Sequence, residues 1–123
     1  MGWKDLLYVA AGGGLGSALR AWIGFLAKES FPWSTLFVNV TGSFLIGVLF
    51  NLVGQEQDES GGIRYFLIAG FCGGFTTFST FSLETFQQFG EGHAGSAVTN
   101  MALSLVCCLV AVAAGYRLTC GLS

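Results

Sequence analysis

The sequence predicts an all-α membrane protein of four transmembrane helices, the third of them broken near its middle. Only 10% of the 123 residues are charged, whereas soluble domains carry about a quarter, and the mean hydropathy is +0.67. Because about 20 apolar residues cross a hydrocarbon layer of ~30 Å, this length suits four crossings with short loops. We therefore expect a single transmembrane domain over residues 1–123.

Four apolar segments supply the predicted spans, at about residues 5–27, 33–53, 63–89 and 96–116. The first segment is longer than the core of a signal peptide and lacks a small-residue cleavage pattern, so we expect it to be retained as a helix. Short polar segments separate the spans, and the acidic one at residues 54–62 is expected to be a solvated loop.

The first span combines small residues with one arginine. Gly12 and Gly16 are four residues apart, as are Gly13 and Ser17, a spacing that lets membrane helices approach closely. Arg20 follows them, and an arginine at the centre of a bilayer costs about 2.5–3.5 kcal/mol on insertion scales. Arg20 therefore either draws anions into a vestibule or extends its side chain to the membrane surface.

The second and fourth spans contain isolated polar residues. Asn39 lies in an otherwise apolar stretch; its amide either bonds a neighbouring helix or donates an N–H group to an anion. Asn100 and Ser104 are one turn apart in the fourth span, so they share a helix face.

The third span contains the least regular stretch of the chain. Gly73 and Gly74 are poor helix formers, and we expect them to unwind the helix over residues 73–77. Backbone groups freed within a bilayer need partners in the protein or in a water-filled cavity, and such breaks hold ions in transporters. Five hydroxyl residues follow the glycines: Thr76, Thr77, Ser79, Thr80 and Ser82. Phenylalanines recur at every third position beside them, on one helix face: Phe75, Phe78 and Phe81.

The distribution of basic residues permits insertion in either orientation. With four crossings, Lys4, Arg64 and Arg117 fall on the side of the termini, whereas Lys28 and, depending on its depth, Arg20 fall on the other. Since basic residues in short loops set membrane orientation, this small difference is a weak signal. Such a chain is able to form an antiparallel homodimer.

Composition and motifs argue against several functions. The net charge of −2 and the lack of a basic stripe give no indication of nucleic-acid binding, and no nucleophile elbow or metal-binding cluster indicates an enzyme. The alternative is a small dual-topology exporter of drugs or cations, which requires a buried acid in the first span. Only Asp5 is available, at the edge of that span.

An anion channel explains more of the sequence. Hydroxyl and amide groups are compact hydrogen-bond donors, and the edges of aromatic rings are electropositive. The nine residues from Gly73 to Phe81 resemble the signature of the Fluc (CrcB) fluoride-channel family. Residues 16–20 and 39–44 fit the same family in sequence order.

This resemblance implies a passive fluoride-selective channel that exports cytoplasmic fluoride to relieve its toxicity. It also implies a multi-pass protein of the bacterial inner membrane that assembles as a dual-topology, antiparallel homodimer. Its partners are then a second copy of itself, the fluoride ion and the lipid bilayer.

The resemblance also implies roles for particular residues. Phe78, Phe81 and Asn39 correspond to pore residues, and the carbonyls of Gly73 and Thr76 to ligands of a structural sodium ion at the dimer centre. A polar track is expected from further residues: Thr35, Ser79, Thr80, Glu84 and Ser104. The chain departs from the family pattern at Asn100, where some members have tyrosine, and at Cys108, where a serine is expected.

Overall fold

The computed structural model describes residues 1–27, 31–54 and 61–121. The predicted turn at residues 28–30 and most of the predicted acidic loop, residues 55–60, lie outside the described residues. Within the three described ranges all regular structure is helical. The helices are α1 (Trp3–Leu26), α2 (Trp33–Gly54, whose last turn Phe50–Gly54 is π-helical), α3 (residues 62–75, π-helical over Tyr65–Cys72), α4 (Phe78–Gly90) and α5 (Ala94–Leu118).

Four helical segments are long and apolar enough to cross a membrane: Trp3–Leu26, Trp33–Gly54, Gly62–Gly90 and Ala94–Leu118. The outer face of α5 illustrates their surface, since Leu105, Val106, Leu109 and Val110 are all exposed. Apolar faces of this size are stable against lipid or a partner but not against water. The prediction of an all-α fold with four helices long and apolar enough to span a membrane is confirmed for the described residues.

Close contact between α1 and α3 depends on glycine. A Cβ atom at Gly12 would overlap the carbonyl oxygen of Phe66, and one at Gly16 would overlap that of Phe71. The two helix backbones therefore touch, as the small-residue spacing of the first span predicts.

A second helix pair, α2 with α5, uses the same device. A Cβ at Gly47 would overlap the carbonyl oxygen of Val112, and one at Gly115 would overlap that of Phe44. The two pairs provide the main helix contacts of the subunit, and α4 packs on α5 and touches α2.

Two extended residues separate α3 from α4. Thr76 has φ −87° and ψ 157°, and Thr77 has φ −151° and ψ 116°. Gly73 and Gly74 remain helical, so the expectation that the double glycine unwinds is wrong. The physical reason is packing, because a Cβ at Gly74 would overlap the backbone of Gly13 on α1. The glycine there serves helix contact.

We expect Gly16→Ala to destabilise the subunit and Gly14→Ala to leave it intact. At Gly16 the added methyl group meets backbone atoms of Phe71 and Phe75, and such overpacking costs about 1–3 kcal/mol. At Gly14 nothing lies within 4 Å of the new Cβ, and alanine favours helix by about 0.5–1 kcal/mol. The measurement is the midpoint of SDS-induced unfolding in mixed micelles, and an equal loss in both variants would contradict the backbone contact.

Candidate functional site

A single side chain, that of Asn39, bonds both backbone polar groups of Thr77, the second extended residue. The amide nitrogen of Asn39 donates to the Thr77 carbonyl at 3.1 Å, and its oxygen accepts from the Thr77 N–H at 2.7 Å. Asn39 therefore makes the helix-to-helix bonds that were one of its two predicted uses. An amide nitrogen carries two hydrogens, so Asn39 retains the capacity to donate a second.

The Thr77 side chain begins α4. Its hydroxyl oxygen accepts from the Thr80 N–H at 3.1 Å, which is the hydrogen bond of a helix N-cap, and it lies 3.3 Å from the Ser79 hydroxyl. Because the backbone of Thr77 is fixed by Asn39, the direction in which α4 starts is fixed as well.

Arg20 closes the end of α3. Its Nε donates to the Gly74 carbonyl at 3.0 Å, and the Ser17 hydroxyl approaches the same oxygen at 3.4 Å. A cation at a helix C-terminus is favourable because the last carbonyls carry partial negative charge. The structure thus holds Arg20 at the helix interruption.

The two carbonyls predicted as sodium ligands lose their ordinary helical donors. The N–H of Thr77, four residues beyond Gly73, donates to Asn39, and the N–H of Thr80, four residues beyond Thr76, donates to the Thr77 hydroxyl. In a continuous helix these N–H groups would bond the carbonyls of Gly73 and Thr76. These carbonyls are therefore suited to bind a hard cation.

A polar cavity of about 420 Å³ adjoins the interruption between α1, α2 and α4. Four of the predicted site residues line it: Arg20, Thr35, Thr80 and Glu84. The structure therefore brings the predicted vestibule arginine together with part of the predicted polar track. The cavity contains both basic and acidic groups, so it can accommodate water and small ions.

Gln88 also lines the polar cavity, and sequence analysis missed it. The residue is only 7% exposed, and both polar atoms of its amide lack a hydrogen-bond partner in the described part of the chain. A buried amide without a partner is costly, so we expect it to bind water or solute in the cavity. Its spacing from Glu84, one helix turn, was the available signal.

An apolar groove of about 720 Å³ lies on the other side of the interruption. Six predicted residues line it: Asn39, Gly73, Thr76, Phe78, Phe81 and Ser104. The rings of Phe78 and Phe81 are 5.6 Å apart and tilted by 48°. The described residues that line this groove include no carboxylate and no basic side chain.

Thr77 lines both the polar cavity and the apolar groove, although sequence analysis gave it no site role. Its position follows from its extended backbone, and helix propensities alone do not predict which residue of the third span is extended. Ser79, by contrast, lines neither space and is exposed. Its hydroxyl contacts the site through the Thr77 hydroxyl.

Behind the groove, a hydrogen-bonded chain joins α4 to α5. The Ser104 hydroxyl donates to Asn100 Oδ1 at 3.2 Å, and Asn100 Nδ2 donates to the Thr85 hydroxyl at 3.1 Å. The Thr85 hydroxyl in turn donates to the Phe81 carbonyl at 2.8 Å. The predicted common face of Asn100 and Ser104 is confirmed.

The helices and the two spaces that meet at Thr77 define a multi-pass helical membrane protein with an internal polar site. A family model described as CrcB-like protein, Camphor Resistance (CrcB), matches residues 7–116. The chain therefore belongs to the CrcB family, as the resemblance of residues 73–81 indicates.

Curated relatives match nearly the full chain. A protein of Nitrobacter hamburgensis named fluoride-specific ion channel FluC 1 is 43% identical over 122 residues, which cover 96% of this chain and 97% of the relative. Proteins named fluoride-specific ion channel FluC are 46% identical in Rhodospirillum rubrum, over 89% of this chain and 90% of the relative, and 47% identical in Opitutus terrae, over 95% and 93%.

We expect Asn39→Ala to expose the backbone of Thr77 to hydrogen exchange. The variant removes both side-chain bonds to that residue, and losing one bond of ~1 kcal/mol raises the exchange rate of the Thr77 amide several-fold. The measurement is amide exchange by NMR in micelles. The control is the amide of Ala97, whose N–H bonds the His93 carbonyl at 3.0 Å, and equal change at both amides would contradict the specific role of Asn39.

Proposed function

We propose that the protein is a passive fluoride-selective anion channel that exports cytoplasmic fluoride. The observation that carries this proposal is the position of Thr77, which lines both the polar cavity and the apolar groove. Thr77 therefore lies between the two spaces, and the proposed pathway runs past it from one space to the other. The names of the curated relatives support fluoride as the ion.

The donors along this pathway suit a small, strongly hydrated anion. The hydroxyls of Thr77 and Thr80 and the amide of Asn39 replace water molecules with compact donors. Phe78 and Phe81 add electropositive ring edges. Because the described residues that line the groove include no charged side chain, the anion is held weakly enough to leave.

The polar cavity serves as the vestibule of the pathway. Arg20 supplies positive charge that raises the local concentration of anions, and the hydroxyls of Thr35 and Thr80 can donate hydrogen bonds to these anions. Glu84 belongs to the same polar track, at the wall of the cavity. Ser79 acts through the Thr77 hydroxyl, which it contacts.

The proposed assembly is an antiparallel homodimer with two pathways. Phe78 is 81% exposed in the single subunit, and a pore residue needs a wall on its open side. A second copy in the opposite orientation supplies that wall, and the weak charge asymmetry of the loops permits it. Each subunit contributes four spans, the third built from α3 and α4 and broken at Thr76 and Thr77.

A structural sodium ion fits the carbonyls of Gly73 and Thr76. Both residues line the groove, and the exposed backbone of Gly73 faces away from its own subunit. Sodium would supply a hard cation that attracts carbonyl oxygens from both copies at their shared axis. A monovalent ion suits these ligands because no carboxylate accompanies them.

The exporter alternative is less well supported. Asp5, the only acid of α1, accepts a hydrogen bond from the Gly2 N–H at 2.7 Å. This contact caps the N-terminal end of α1, far from the polar cavity and the groove. No carboxylate of the first span is therefore positioned for coupled cation transport.

We propose the bacterial inner membrane as the location. Hydrogen fluoride crosses membranes as a neutral weak acid and dissociates in the less acidic cytoplasm. A passive anion pore then lets the negative membrane potential expel fluoride, without coupling to protons.

We expect proteoliposomes containing the protein to release fluoride under a potassium/valinomycin potential, with no proton gradient and with far less chloride release. Phe78→Ile and Phe81→Ile should each reduce fluoride efflux roughly tenfold or more, since a barrier increase of ~1.4 kcal/mol has this effect. The measurement is efflux recorded with ion-selective electrodes.

Phe86→Ile is the matched control, because Phe86 lies on the same helix, is exposed and lines neither space. Chloride efflux equal to fluoride efflux, or a strict need for a proton gradient, would refute the proposed function. Full efflux in both pore variants would show that Phe78 and Phe81 serve packing and not conduction.

We expect sodium to strengthen dimerisation and Gly73→Val to weaken it. A Cβ at Gly73 meets only the Ile68 carbonyl, at 3.9 Å, within its own subunit, so the subunit should fold normally. Thr76→Ser is the control, since serine retains a hydroxyl for the Cys72 carbonyl, which Thr76 bonds at 2.9 Å. Native mass spectrometry in sodium and in N-methylglucamine measures the dimer, and insensitivity to both changes would exclude the site.

A further inference from the structure

Asn100 lies at the centre of the hydrogen-bonded chain between α4 and α5. The side chain is 2% exposed and Thr85 is 7% exposed, so neither depends on solvent. Each of these hydrogen bonds runs from a donor to an acceptor: Ser104 donates to Asn100, Asn100 donates to Thr85, and Thr85 donates to the Phe81 carbonyl. Among these residues, Ser104 and Phe81 line the apolar groove.

This direction determines what Ser104 presents to the groove. A serine hydroxyl has one hydrogen, and here it is donated to Asn100 Oδ1. The free lone pairs of Ser104 are then its only polar feature toward the groove. Lone pairs repel an anion, so this arrangement disfavours fluoride at Ser104.

A second arrangement of the same groups reverses the chain. The oxygen and nitrogen of an amide occupy nearly equivalent positions after a half-turn of the side chain. Asn100 Oδ1 then accepts from the Thr85 hydroxyl, and Asn100 Nδ2 donates to the Ser104 oxygen. The Ser104 hydrogen is released toward the groove, and the Phe81 carbonyl keeps its helical bond from the Thr85 N–H.

We propose that Asn100 is a positioning residue whose amide orientation decides whether Ser104 donates its hydrogen into the groove. The inference rests on the proposed function, because it assigns Ser104 to the fluoride pathway. The Thr85 hydroxyl bonds the amide in both orientations, but only in the observed one is its single hydrogen free to bond the Phe81 carbonyl. That additional hydrogen bond holds the amide in the orientation that withholds the Ser104 hydrogen. The reversed orientation is the conducting one at this position.

Thr85→Val tests the proposal because it predicts a gain of function. Valine has nearly the shape of threonine but offers no oxygen to Asn100 Nδ2, so the amide turns that donor toward Ser104. Fluoride efflux from proteoliposomes should rise about threefold, the population change that an ordinary hydrogen bond of under 1 kcal/mol produces. If these hydrogen bonds between α4 and α5 were merely structural, Thr85→Val would lower fluoride efflux or leave it unchanged.

Two double variants show whether the effect passes through Asn100 and Ser104. Adding Thr85→Val to Asn100→Leu, or to Ser104→Ala, should leave efflux at the level of the second variant alone. The control is Thr99→Val on α5, the helix of Asn100 and Ser104, since the exposed Thr99 hydroxyl bonds only the Gly95 carbonyl in the described chain, at 2.8 Å. That variant should conduct like the unaltered protein.

The outcomes separate this inference from the proposed function. If the unaltered protein releases no fluoride, the proposed function fails. If it releases fluoride but Thr85→Val lowers or preserves the rate, or raises it equally without the Ser104 hydroxyl, the positioning role of Asn100 is overturned.

A spectroscopic measurement gives a second test that does not require conduction. With ¹⁵N-labelled asparagine, the side-chain amide signals of Asn100 should shift on addition of fluoride and not of chloride. In Ser104→Ala the fluoride shift should disappear. A shift that persists in that variant would overturn the proposal.

Discussion

The two hydrogen bonds between Asn39 and Thr77 are the interaction on which the rest of the site depends. Within a bilayer an unpaired backbone group costs several kcal/mol, so a non-helical residue persists only where the protein supplies both partners. Asn39 supplies them from another helix. With Thr77 extended, its hydroxyl begins α4, the Gly73 and Thr76 carbonyls lose their helical donors, and the polar cavity and the groove meet at one residue.

The glycines show that packing outweighs helix propensity in this chain. A helical glycine costs about 0.5–1 kcal/mol relative to alanine, which favours unwinding at Gly73 and Gly74. Yet a side chain at Gly74 or Gly16 would force α1 and α3 apart, and membrane helices associate chiefly through close packing. The contact is lost if α3 unwinds there, so the glycines stay helical and the interruption falls at the threonines that follow.

Charge is divided unequally between the two spaces. The polar cavity contains Arg20 and Glu84, whereas the described lining of the groove has no formal charge. Charge at the mouth of a pathway attracts ions over a distance, and its absence further along avoids trapping them. Where no formal charge is present, what an anion meets depends on which neutral groups present a hydrogen to it. The orientation of the Asn100 amide matters for this reason.

The sequence by itself determined the number of helices, the membrane environment and the family, because hydrophobic length and a contiguous nine-residue motif are local properties. It also indicated ten residues that line one or the other of the two spaces. Only the tertiary structure decided where the helix is interrupted and how Thr77, Gln88 and Asn100 take part. Asn39 and Thr77 are 38 residues apart, and Asn100 and Thr85 are 15 apart. Partners at such separations are chosen by helix packing, which local propensity does not describe.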